Sequence, residues 1–275
     1  MTLSRKQQIF LPSYPDSLSE SQRKPSWYLV FCLLAAVFVV LASNSFGKDV
    51  AIKTMDAALV FVSGSLLVLA IMISSRFGIH GDHGKAYLMF VGFATSWFLA
   101  ELGWAMSELS SDSVSFPAQL DLFYLGAYPF LLLFSVYYLR PLRGAITKKT
   151  LMYALFVTIA FLVPTLYAVH SQNPSADIAK ILWADIYPAA DAAVLFPAVL
   201  GVTLFFKGRV NLFWSLTSIA IILNVVADSG FFFLYIDKSY YTGHPLDVFY
   251  LWSYILFAFG INSHLRLYRT PKIPS

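Results

Sequence analysis

Eight apolar runs set the terms on which this chain can fold. They occupy roughly 27–47, 57–75, 86–107, 120–139, 150–169, 183–206, 211–236 and 246–265, and none contains Lys or Arg. A helix needs about 20 predominantly apolar residues to cross a bilayer, and a backbone in lipid has to satisfy its own polar groups. The expectation is therefore an all-α integral membrane protein with eight transmembrane helices. Composition agrees. Of 275 residues, 58% are apolar and 12% charged, against about 25% charged in a soluble domain. The sixth run is the least regular, because it carries Asp185, Pro188, Asp191 and Pro197. Cys32 is the single cysteine, which excludes an intrachain disulfide framework and a cysteine-based metal site.

Eight crossings put both termini on one side. The loops and ends on that side hold 15 of the 19 Lys and Arg residues. By the positive-inside rule both termini are cytoplasmic, in a multi-pass protein of the cell membrane. The acids run the other way: 12 of 15 fall on or near the outer side, and several lie inside the runs. Residues 1–26 are polar, with Arg5, Lys6, Arg23, Lys24 and three prolines. They read as a flexible cytoplasmic tail, too long and mixed for a signal-peptide n-region. Residues 270–275 form a second short cytoplasmic tail.

One motif occurs twice. Pro117-Ala-Gln-Leu-Asp-Leu-Phe-Tyr-Leu-Gly-Ala-Tyr128 is echoed by Pro245-Leu-Asp-Val-Phe-Tyr-Leu-Trp-Ser-Tyr254. An offset of 126 puts Asp121 on Asp247, Tyr124 on Tyr250, Tyr128 on Tyr254, and Arg140 and Arg143 on Arg266 and Arg269. The preceding runs match at an offset of 127, Glu101 on Asp228 and Gly103 on Gly230. Asp56-Ala-Ala and Asp191-Ala-Ala give a looser echo. This organisation implies two four-helix repeats, 27–143 and 144–269. Four is even, so the repeats should be parallel and related by an axis along the membrane normal.

The repeated motif also carries the candidate chemistry. Asp121, Tyr124 and Tyr128 are spaced i, i+3, i+7 and share one helix face, as do Asp247, Tyr250 and Tyr254. An Asp in a first turn also complements the helix dipole, and interfacial Tyr belongs to the aromatic belt. Glu101 and Asp228 are more telling, since an acid inside a span costs roughly 2.5–3.5 kcal/mol on insertion scales. Such an acid should face the bundle interior. Trp97 and Trp104 share the face of Glu101. Asp191 joins this group, with Tyr187 one turn away as a bonding partner. Glu101, Asp121, Asp191, Asp228, Asp247, Tyr124, Tyr128, Tyr250, Tyr254, Trp97 and Trp104 thus outline an outward-facing ligand pocket. With no basic side chain inside the runs, it suits a cation, a protonated amine over aromatic faces, or a polar lipid headgroup.

Other chemistries find no footing. His80 and His83 read as a solvated cytoplasmic turn, His170 and His244 fall in outer loops, and His264 ends the last run. Paired histidines for haem, nucleophile elbows, phosphate loops and zincin motifs do not occur. No cofactor is implied. The few basic residues near 140–149 and 266–272 fit contact with anionic membrane lipids rather than nucleic acid.

Residues 117–129, read as Pro-x-x-Leu-Asp-x-Phe-Tyr-Leu-x-x-Tyr-Pro and preceded by Trp97 and Trp104, resemble the multi-span N-terminal regions of prokaryotic diguanylate cyclases and sensor kinases. The resemblance covers about 45 residues, twice. It implies a sensory or ligand-receiving membrane module. This sequence ends about ten residues after its last run, so signalling would require a separate partner. The paired acids also resemble those of the eight-span lysoplasmalogenase-like family, although the local Gly-Asp and Ser-Asp patterns of that family are not matched. That resemblance implies a lipid-modifying hydrolase using Glu101, Asp191 and Asp228. Parallel repeats with buried acids would also suit a small-solute or cation transporter. The leading expectation is a non-enzymatic membrane module that binds a small ligand or lipid, or assembles with a partner.

Overall fold

The computed structural model describes residues 27–110, 119–172, 178–206 and 212–267, and every element within them is helical. The two expected tails and Pro117 lie outside these residues. The eight long helices are α1 (Trp27–Ser45), α2 (Lys48–Phe77), α3 (Gly81–Leu109), α4 (Asp121–Leu139), α5 (Lys148–Gln172), α6 (Ile178–Phe206), α7 (Leu212–Ile236) and α8 (Val248–Leu267). Short 3-10 turns occupy Arg140–Ala145 and Pro245–Asp247. All eight helices are long and apolar enough to cross a membrane.

Two helices run further than their apolar stretches. α2 begins at Lys48 rather than near 57, and α3 spans Gly81–Leu109 rather than 86–107. The added turns carry Lys48, Asp49, Lys53, Asp56 and Glu108, which break hydropathy but not helical backbone. Asp49 in the first turn of α2 also complements the helix dipole. Pro129, Pro164, Pro188 and Pro197 sit inside helices, where each removes one backbone donor. Neighbouring helices make this tolerable in a membrane bundle.

Six helices close into a ring in the order α2, α3, α4, α6, α7, α8. α1 lies outside it against α2 and α8, while α5 lies outside it against α6 and touches α7. The core is strongly aromatic: Tyr87, Phe90, Phe93, Phe134, Phe213, Trp214, Tyr254 and Phe257 are all fully buried. Tyr138 stacks on Trp214 with ring centroids 4.7 Å apart. Gly201 allows α6 to meet α7 closely, because a Cβ there would fall 2.1 Å from Trp214 Nε1.

The two ends of the bundle differ in charge. At one end Arg76 Nη1 donates to the Leu265 carbonyl (3.2 Å) and Arg140 pairs with Asp82 (3.2 Å). His264 is buried there among Phe77, Tyr87 and Phe213. His83 is exposed as expected, but in the first turn of α3 rather than in a loop, edge-on to Tyr138. At the opposite end the chain returns at 45–48, after α3, and between α7 and α8. Among the described residues every acid except Asp82 belongs to that opposite end.

Candidate functional site

Pairs of close contacts bring the acid-bearing helices together. Gly103 on α3 leaves room for Leu120 just before α4, since a Cβ would lie 2.4 Å from a Leu120 methyl carbon. Gly230 on α7 does the same for Leu246 just before α8, at 2.5 Å. The missing side chains let the start of α4 press against α3, and the start of α8 against α7. Asp121 and Asp247, with the phenols that follow them, are thereby set beside Glu101 and Asp228.

Glu101 is buried and receives the indole N–H of Trp97 (3.2 Å) and the hydroxyl of Tyr254. Tyr124 packs edge-on to Trp97 beside it, with ring centroids 5.6 Å apart. Asp228 receives the amide N–H of Asn224 (2.7 Å), the hydroxyl of Tyr250 (2.8 Å) and a contact from the hydroxyl of Tyr128 (2.9 Å). The correspondence is close. Each acid takes an N–H from the residue four positions earlier and a phenol from the other half of the chain, and Asp228 takes Tyr250 besides. Trp97 and Asn224, and Tyr128 and Tyr254, are the matched donors, 127 and 126 positions apart.

Asp191 adds a second acid beside Asp228. The Tyr128 hydroxyl lies 2.7 Å from Asp191 Oδ1 as well as 2.9 Å from Asp228. A phenol has one proton to give. One phenol thus stands between two carboxyl groups, on α6 and α7. Tyr187 bonds Asp121 on α4, not Asp191 on its own helix, which corrects the expectation from sequence. The physical reason is the ring order: α6 packs on α4, so the two side chains find partners across that seam.

These side chains line a cavity of about 110 Å³. Its wall includes Glu101, Asp121, Asp191, Asp228, Tyr124, Tyr128, Tyr250, Trp97 and Trp104 from the candidates, and no Lys, Arg or His among the described residues. Asp247 and Tyr254 are not part of the wall. Asp247 is fully buried and accepts from Gly243 N (2.7 Å) and the Tyr240 hydroxyl (3.1 Å), so it fastens the α7–α8 connection. Tyr254 is fully buried behind Glu101. Burial, then the Asp247 carboxylate, lifts the Tyr240 phenol well above its usual range, so it remains a donor.

The sequence reading did not single out Ser229, Thr165, Phe231, Phe232, Tyr235, Tyr240 and Thr242, which complete the wall. Only Ser229 carries a signal, as the neighbour of Asp228. Tyr240 and Thr242 come from a connection with no periodicity to read. That connection is pinned to the first half. Asn44 Nδ2 donates to the Gly243 carbonyl (2.7 Å), and the Tyr241 hydroxyl donates to Asn44 Oδ1 (2.6 Å). Trp104 Nε1 reaches Thr242 (3.1 Å), which donates to Glu108 (2.8 Å). Burial lowers His244 from its ordinary value, and its Nδ1 accepts the Leu246 N–H (3.1 Å). Asp185 pairs with His170 at 3.2 Å, away from the cavity. Among the described residues no three His, Cys, Asp or Glu side chains are grouped so as to hold a metal ion.

No protein-family model matches the chain, and no curated protein or solved structure matches it.

Proposed function

We propose that this chain is a multi-pass module of the cell membrane that binds a small ligand or a lipid in its acid and phenol cavity, without turning it over. Both termini are cytoplasmic in this reading and the cavity opens outward, which accords with the acids gathering at one end and the basic residues at the other. The helices form two parallel repeats, supported by the matched bonds of Glu101 and Asp228 and the matched Gly103–Leu120 and Gly230–Leu246 contacts. A sensor of this kind would pass its signal to a separate partner.

The observation that carries the reading is the cavity itself. It is aromatic-walled, charged in one sense only, and its acids are oriented by phenol, indole and amide donors. Concave sites with an apolar wall and a few convergent polar groups are the usual form of a ligand site. The test is a thermal-shift screen of the purified chain in detergent, with wild type beside Glu101→Gln and Asp228→Asn. A saturable stabilisation lost in both correctly folded variants supports the reading. A ligand response that both variants retain in full would sink it.

A second reading, a membrane hydrolase acting on lysolipids, has one observation in its favour. Asp191 and Asp228 share Tyr128 and form a carboxyl pair of the kind that can divide acid and base roles. Turnover across a panel of lysolipids and ether lipids by the same preparation would establish it, and its absence would return the pair to ligand binding.

A further inference from the structure

Building on the ligand-binding reading, we infer that the cavity takes a compact ammonium group bearing N–H protons, seated between Asp191, Asp228 and Ser229. Ser229 is the pointer. It is 8% exposed, it lines the cavity, and its hydroxyl has no hydrogen-bond partner among the described residues. Its oxygen opens onto the cavity rather than being sealed among side chains, so a group bound there can supply the partner the protein does not. A Ser hydroxyl can accept as well as donate, so it can take an N–H.

The rest of the wall selects the charge. Glu101, Asp121, Asp191 and Asp228 line the space with no cationic side chain to offset them. An anion would meet four acids. A cation would meet acids and the faces of Trp97, Trp104, Tyr124 and Tyr187, which attract positive charge through their ring quadrupoles. Asp191 and Asp228 both lie within reach of the Tyr128 hydroxyl, so the two carboxyl groups are close enough for one ammonium to bond both. N–H protons distinguish the ligand from a quaternary cation, because Ser229 and the carboxyl oxygens are acceptors needing donors.

A recess beside this place limits how a larger amine would fit. Thr165, Pro188, Asp191 and Ser229 are shared between the main cavity and a narrow recess that continues to Phe161 and Leu162 on α5. The recess is too tight to hold a water, so any substituent on the ammonium has to lie within the main cavity. The amine headgroup of a lipid and a free alkylamine share this chemistry.

The experiment uses the full chain in detergent, measuring melting temperature against ethylammonium, tetramethylammonium, ethanol and acetate. A parallel arm places it in nanodiscs of phosphatidylglycerol with and without phosphatidylethanolamine. Saturable stabilisation by ethylammonium, weakened about tenfold in Ser229→Ala and lost in Asp228→Asn, is expected. Asp191→Asn serves where Asp228→Asn does not fold. If phosphatidylethanolamine alone stabilises, with the same variant pattern, the headgroup is the source; if only ethylammonium does, the source is a free amine. Tetramethylammonium acting as well as ethylammonium, or Ser229→Ala changing nothing, overturns the inference. Saturable binding of ethanol or acetate that Asp228→Asn abolishes overturns the ammonium and leaves the cavity a ligand site. Silence from every probe, in both detergent and nanodiscs, overturns the two readings together.

Discussion

Glu101 and Asp228 occupy corresponding places on α3 and α7, and each accepts an N–H from four residues back and a phenol from the opposite half. Their surroundings then diverge. Asp228 has Asp191 within reach of the same phenol. The acid on α2 that echoes Asp191 is Asp56, which is buried beside Glu108 and does not line the cavity. The α7–α8 connection instead packs on α2 near Asp56, its Gly243 so close to Ala51 that a Cβ would fall 2.7 Å from the Ala51 backbone. Gly243 also has φ +94, a conformation that side-chain-bearing residues rarely adopt. The acid that echoes Asp191 is thus set beside Glu108 and the connection, whereas Asp191 itself faces the cavity beside Asp228. Two acids with matched donors can thus have unmatched neighbours.

The largest test of this contrast is removal of each acid. Asp228→Ala strands the donors on Tyr250 and Asn224, leaves Tyr128 to Asp191 alone, and should cost about 4 kcal/mol. Glu101→Ala should cost about 3 kcal/mol by the same reasoning. Chemical unfolding in micelles measures both, and a larger loss at Glu101 would reverse the comparison. Next come the exchanged phenols. Tyr128→Phe touches two acids and should cost about 2–3 kcal/mol, whereas Tyr254→Phe touches one and should cost about 1–2 kcal/mol. Double-mutant cycles with Asp228→Asn and Glu101→Gln separate the pairwise parts, and equal couplings would erase the asymmetry.

A smaller effect belongs to the α7–α8 connection. Asn44→Ala removes two bonds to residues 241 and 243 and should loosen that connection by about 1–2 kcal/mol. Faster amide exchange at 240–244, with the rest of the bundle unchanged, is the expected readout; unchanged exchange would mean that Asn44 does not pin it. The smallest is a test of sameness. Gly103→Ala and Gly230→Ala each push a leucine aside and should each cost about 1 kcal/mol. A clear difference between them would show that the two close approaches are not equivalent.

Much of the framework is legible in the amino-acid order because a bilayer allows few alternatives. Lys- and Arg-free runs of sufficient length become helices, and all eight do. The boundaries of α2 and α3 are not legible that way, since Lys48 to Asp56 and Glu108 leave the apolar pattern without leaving the helix. At the site, spacing brought Asp121, Tyr124 and Tyr128 to one face, and Glu101 beside Trp97. Spacing could not say that Tyr254 and Tyr128 bond acids of the opposite half, because that depends on which helices adjoin. The same blindness produced the expected Tyr187–Asp191 bond, where ring order instead joins Tyr187 to Asp121. Asp247 looked like a second Asp121 but became an anchor for backbone and Tyr240, a role decided by the fold of residues 237–247.

The crossed phenols carry a consequence for assembly. Tyr128 leaves the first half to meet Asp228, and Tyr254 leaves the second to meet Glu101. A chain cut in the connection between α4 and α5 would yield two pieces, each with an acid wanting what the other holds. Neither piece is self-sufficient, yet each is a template for its counterpart. Split and co-produced, they have reason to find one another in the membrane, behaving less like fragments than like the two subunits of a heterodimer joined by a tether.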